Sequence, residues 1–220
     1  MIDRIFKLES GQPLSPYAMD YNFSLSRSIW DEDKKIDTIK KFCLKKEKKI
    51  LELDYTNDGG TGLDEEAVTT RYGRYNLFDF VDECPELTDL WDFIKEHWFD
   101  RIKIDDTKTY KTKIGCWFNV MRKGQHMNEH RHSSRFSGYL SGNMHLDNYQ
   151  TTTTYKHLNN WVELTNIKGG LVMFPSQLLH STSTHIEKNE RVSIAFDLHI
   201  TNLNDVENEI LQHSNKDFYI

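Results

Sequence analysis

The stretch that most constrains this chain is RVSIAFDLHI at 191–200. Val192, Ile194, Phe196, Leu198 and Ile200 face one way, and Arg191, Ser193, Ala195, Asp197 and His199 face the other. Unbroken alternation marks a strand with one apolar and one polar face. The apolar face has to be buried against another layer of structure. A related pattern occupies most of the second half. Residues 113–121 (KIGCWFNVM) are β-branched and aromatic, and 136–147 set Leu140, Met144 and Leu146 opposite Tyr139, Ser141, Asn143, His145 and Asp147. The segments 161–165 and 170–174 are short apolar strands bounded by turn residues.

Before residue 110 the period is helical. Residues 31–48 predict a charged surface helix with a narrow stripe of Ile36, Ile39 and Cys43, with Phe42 adjoining. Its acids lead and its lysines trail, which suits the helix dipole. KILELDY at 49–55 reads as a strand, and 56–62 as a turn or loop. A second helix starts near Pro85, with Leu87, Leu90, Trp91, Ile94, Trp98 and Ile102 on one face. Residues 1–30 look mixed and irregular, and 201–220 form a polar tail. Helices followed by short strands at even spacing predict a mainly β fold, a sandwich or jelly roll buttressed by N-terminal α-helices. One domain over 1–220 is expected: support in 1–109, the β core in 110–200, then the tail.

Several function classes fall away. No apolar run reaches the roughly 20 residues that span a bilayer, so no membrane association is expected. No secretory signal pattern opens the chain, and a cytoplasmic location is expected (the host cytoplasm if the chain is phage-encoded). The net charge of −6 disfavours a nucleic-acid partner. Cys43, Cys84 and Cys116 form no CxxC pair, which excludes a zinc ribbon or disulfide framework. Nucleotide-binding glycine motifs and the GxSxG elbow are missing too.

Histidine is what remains in excess. Of ten, seven (His126, His130, His132, His145, His157, His180 and His185) fall between 126 and 185. In an extended segment, His130 and His132 project to the same side and can chelate one ion. His180 follows an apolar strand and a Pro-Ser turn, a rigid place for a third ligand. Eleven residues on comes Arg191, with Ser193 beside it on the polar strand face, a ready site for a carboxylate.

These motifs, in this order, resemble the 2-oxoglutarate and iron(II)-dependent oxygenases, most closely a group found in marine phages and bacteria. Trp117 and Asn119, His130 and His132, then Ser137 and Gly138 match the first half of the pattern. Gly170, Phe174, Pro175, Ser176 and His180, then Glu190, Arg191, Ser193 and Phe196 match the second. The resemblance covers about residues 110–200. It implies a double-stranded β-helix of the cupin-like kind, with Fe(II), 2-oxoglutarate as cosubstrate and O2. It implies His130 and His180 as metal ligands and Arg191, assisted by Ser193, on the far carboxylate of 2-oxoglutarate, with Asn119 and Tyr139 as further candidates to line that pocket. The expected reaction is hydroxylation of a small-molecule or protein substrate with release of succinate and CO2, and family habit would allow a homodimer.

One position departs from the wider pattern, because His132 stands where most of these enzymes carry an aspartate. Either His132 ligates, which same-side projection favours, or a carboxylate such as Asp147 takes its place. His145 and Asp147 are read as a polar pair inside the barrel. The polar loops at 56–70 and 148–157 are the two candidates to cover the site and select substrate. Two other readings stay open: a cupin-like three-histidine enzyme without 2-oxoglutarate, which would tolerate loss of Arg191, and a non-catalytic binding module, which would hold no stoichiometric metal.

Overall fold

The computed structural model of the chain describes residues 2–9, 22–101, 112–132 and 138–200. The described chain contains two α-helices, α1 (Asp33–Leu51) and α2 (Glu86–Arg101). Its nine strands are β1 (Arg4–Glu9), β2 (Asn22–Ile29), β3 (Thr112–Met121), β4 (Gly138–His145), β5 (Thr152–His157), β6 (Asn160–Thr165), β7 (Gly170–Pro175), β8 (Leu179–Thr182) and β9 (Arg191–Ile200). They form a six-stranded sheet in the order β1-β2-β7-β4-β9-β3 and a three-stranded sheet in the order β6-β5-β8, with every pairing antiparallel. This is the mainly β jelly roll that the alternation predicts.

β9 lies between β3 and β4 and is paired along its length on both sides. Its outward residues Val192, Ile194, Phe196 and Leu198 are fully buried in the main core with Ile36, Ile39, Leu87, Leu90 and Ile94 of the helices. Burying one such side chain contributes about 1.5–3 kcal/mol, so the helices hold the large sheet from behind. A second cluster, Leu8, Leu25, Tyr155, Leu164, Val172, Phe174 and Leu178, joins the two sheets. β7 feeds both, with Leu171 and Met173 in the main core and Val172 and Phe174 in the second.

Three expectations are corrected. α1 does not stop at Lys48 but runs through Leu51, so 49–55 holds no strand. Ile50 extends the buried stripe seven residues beyond Cys43 and is 2% exposed, and helical burial wins over the strand-like local pattern. Residues 1–30 are not uniformly irregular: β1 and β2 extend the large sheet from β7. Residues 148–157 are not mainly a loop, because the threonine run 152–154 opens β5, where β-branched side chains suit a half-buried strand. The tail after 200 and the end of the second predicted helix at Ile102 lie outside the described residues. No helix among the described residues is long and apolar enough to cross a membrane.

Candidate metal centre and anion pocket

The site grows from the free edge of β8. The extended segment 125–132 runs antiparallel beside it. His185 N–H donates to the Gln125 carbonyl (2.8 Å), Thr182 N–H to Met127 (3.1 Å), and His132 N–H to Ser176 (3.1 Å). His130 and His180 exchange both of their backbone hydrogen bonds, at 3.0 and 2.9 Å. A mutually bonded pair in an antiparallel ladder sits directly opposite, with both side chains on one face. His132, two residues further on, projects to that face as well. The ring centroids are 4.3 Å apart for His130 and His180, 5.0 Å for His132 and His180, and 5.7 Å for His130 and His132. One ligand atom from each of the three lies within 4.8 Å of the others.

Each ring is oriented through Nδ1. His130 Nδ1 meets the Asn128 carbonyl at 2.8 Å and His180 Nδ1 meets the Leu178 carbonyl at 3.2 Å. A carbonyl only accepts, so both rings donate from Nδ1 and keep a lone pair on Nε2. Burial pushes His130 down to about 4 and His180 well below its ordinary range, so both are neutral at pH 7, the form that binds metal. His132 Nδ1 is held differently, by the Asp197 carboxylate at 2.6 Å. Burial alone would raise the Asp197 carboxyl. The His132 ring and hydrogen bonds from His132 and Ser141 outweigh that and hold it below the usual range. Ser141 Oγ donates to Asp197 at 2.5 Å and lies 2.9 Å from Ser176 Oγ.

The histidines line one part of a cleft of about 740 Å³ between the two sheets, open to solvent. Another part is built by Asn119 of β3, Asn143 and His145 of β4, Thr153 of β5, and Arg191 and Ser193 of β9. Arg191 is 2% exposed. Its contacts are neutral: Thr151 Oγ1 at 3.2 Å, and Ser193 Oγ, Met121 Sδ and His145 Nδ1 at 3.5 Å. No carboxylate pairs with it among the described residues, and burial pulls its guanidinium down to about 10. A buried guanidinium without a counter-ion is costly unless an anion joins it. Burial and the neighbouring Arg191 charge also hold His145 neutral. Asn119, 6% exposed, leaves its Oδ1 without a partner among the described residues. On the open side, Asp58, Gly59 and Thr61 line the cleft. The loop is tied beside His130 by Asn128 N–H donating to the Thr61 carbonyl at 2.8 Å. Gly62 has φ +72°, and a Cβ there would fall 2.1 Å from the Asn128 amide, so this anchorage requires glycine.

His130, His132, His180, Arg191, Ser193 and Asn119 thus share one cleft. Tyr139 occupies the β4 register shift between Gly138 and Leu140, and its side chain lies outside the described residues. Asp147 does not join the site. The chain leaves β4 at His145, and Asp147 pairs with Lys40 of α1 at 2.6 Å. The expected His145–Asp147 pair does not form for the same reason. Trp117 is buried as expected of a core residue, yet its ring also lines the cleft, 5.5 Å from His132 and 5.6 Å from Tyr72. Asp197, Thr151 and Asp58 were not singled out from the sequence. For Asp197 the signal was present, as an acid on the polar face of β9.

Residues 115–197 match the family described as "Putative 2OG-Fe(II) oxygenase". The β core is similar to that family over these residues. The match covers well under half of the chain, and it spans the strands and loops that carry the histidines and Arg191. The family's cofactors are Fe(II), 2-oxoglutarate and O2, and the donor set suits it, since three imidazoles gathered on one face fit a divalent transition metal. Among solved structures, a Pseudomonas putida prolyl-4-hydroxylase is 12% identical, with 81% of this chain and 93% of that chain covered at a TM-score of 0.54. A Trichoplax adhaerens prolyl hydroxylase, solved with a hypoxia inducible factor peptide fragment, is 11% identical, with 79% and 83% covered at 0.51. Both share the fold. The chain spans about half (47%) of a Burkholderia pseudomallei oxidoreductase of the 2OG-Fe(II) oxygenase family that it also matches, at 16% identity, 42% of this chain covered and a TM-score of 0.38. No curated protein matches the sequence.

Proposed function

We propose that this chain is a 2OG-Fe(II) oxygenase, a hydroxylase in which His130, His132 and His180 hold Fe(II), and Arg191 with Ser193 holds the far carboxylate of 2-oxoglutarate. One observation carries the reading. Three imidazoles pinned at Nδ1 share a cleft with a buried guanidinium that has no carboxylate partner among the described residues. When bound, iron and 2-oxoglutarate supply oxygen activation, with succinate and CO2 released, for attack on a substrate C–H bond.

The chain's own residues bind, orient and shield. The Asn128 and Leu178 carbonyls hold two rings in the metal-ready tautomer. Arg191 presents its fork beside a serine hydroxyl, a charge-assisted match for a carboxylate. Asn119 offers in the same pocket an amide oxygen without a partner among the described residues. Trp117 and Tyr72 wall the cleft, and loop 56–70 borders its open side, where it selects a small-molecule or protein substrate. The test is succinate formation from 2-oxoglutarate by Fe(II)-loaded protein with a panel of such substrates. Turnover abolished by a chelator and by Arg191→Met supports the reading. Metal-loaded protein that neither binds 2-oxoglutarate nor forms succinate rules it out. Activity that survives Arg191→Met points instead to a three-histidine enzyme working without 2-oxoglutarate.

A further inference from the structure

We propose that Asp197 is a positioning residue for the metal centre. It fixes His132 as third ligand and delivers through that ring the negative charge that a directly bound carboxylate would supply. The inference rests on the metal reading above. Of the three rings, His132 alone has its Nδ1 held by a carboxylate rather than by a backbone carbonyl. The contact is short, at 2.6 Å, and joins β9 to a residue 65 positions away in sequence. Among the described residues, Asp197 has no ion-pair partner but His132, and Ser141 donates to the same carboxylate oxygen. A part-buried carboxylate satisfied in this way holds its oxygen where the ring has to donate. The His132 Nε2 lone pair is then left toward the other two histidines.

Three neutral imidazoles leave a divalent ion with its full charge, whereas a ligating carboxylate cancels one unit. With Asp197 hydrogen-bonded to a ligand ring, the carboxylate returns at one imidazole's distance and makes that ring a stronger donor. Two acids close in sequence to the histidines are engaged elsewhere: Asp147 by Lys40, and Glu129 by Lys156 at 3.2 Å.

The experiment is Co(II) titration of the full chain, followed by the visible absorption of the bound ion, for wild type, Asp197→Ala, Asp197→Asn, His132→Ala and the His132→Ala/Asp197→Ala double variant. Asp197→Ala is expected to weaken Co(II) binding about 10- to 100-fold and to shift the absorption bands. Asp197→Asn, whose amide oxygen still accepts from Nδ1 but carries no charge, is expected to lose less. In the His132→Ala background, Asp197→Ala should add nothing, because the acid acts only through that ring. Far-UV circular dichroism checks each variant, and if the alanine variant does not fold, the asparagine variant decides by its loss of affinity and its band shift. Wild-type affinity and bands in Asp197→Asn and Asp197→Ala overturn the proposal, as does an equal loss with and without His132. Wild type that binds no Co(II) overturns the metal reading and this inference with it.

Discussion

The two faces of β9 set the molecule's two tasks side by side. Outward, Val192, Ile194, Phe196 and Leu198 pack with the helices in the main core. Inward, Arg191, Ser193, Ala195 and Asp197 line the cleft; Arg191 reaches Thr151 and His145, and Asp197 reaches His132 and Ser141. The same ten residues therefore carry stability on one side and chemistry on the other. The difference is in what each face tolerates. The outer face depends on volume, while the inner face depends on charge and direction and keeps a buried cation that no carboxylate neutralises among the described residues.

Substitutions on the two faces should separate. Phe196→Ala opens a void in the main core and should lower unfolding stability by about 3–5 kcal/mol in a urea melt. Co(II) affinity of the folded fraction should stay close to wild type, and a large loss there would erase the distinction between the faces. Arg191→Met should do the reverse. Losing the charge-assisted contact removes about 1.5–3 kcal/mol, or roughly 10- to 100-fold, of 2-oxoglutarate affinity by calorimetry. Stability of the ligand-free protein should hold or rise, because an unneutralised buried charge is gone. A strongly destabilised Arg191→Met would mean that the guanidinium serves the fold. Gly142→Ala probes the seam between the faces. Its Cβ would fall 2.2 Å from the Phe196 ring, so overpacking should cost about 1–3 kcal/mol in the same melt.

Much of this division was legible in the sequence, and what was not has physical reasons. Alternation assigned every side of β9, because period two is an intrinsic property of a strand. The histidine pair at 130 and 132 could be placed on one side, but its partner could not be seen, since the ladder to 176–185 is a tertiary pairing. β1 and β2 escaped notice because their places depend on β7, some 140 residues away. The threonine run of β5 was mistaken for a loop because polarity was weighed above β-branching. Asp197 was placed on the correct face without a role, because its role comes from a hydrogen bond across 65 residues. Asp147 failed in the opposite way: the alternation was extended two residues past the end of β4.

That last residue offers the smallest effect and a clean discrimination. Asp147 is a carboxylate two residues beyond a cleft-lining histidine, and by sequence it competes with His132 for the third ligand position. Its ion pair with Lys40 is partly exposed, with the carboxylate side chain 44% accessible. Solvent screens such a pair, so Asp147→Asn should change stability by less than about 1 kcal/mol. Metal affinity should not move at all, whereas His132→Ala should weaken it clearly. Co(II) titration of the two variants in parallel makes the comparison. Loss of affinity in Asp147→Asn would mean that the chain after His145 folds back toward the cleft when metal binds and that the carboxylate is recruited directly. Unchanged affinity leaves a centre in which an acid, Asp197, stands behind a histidine.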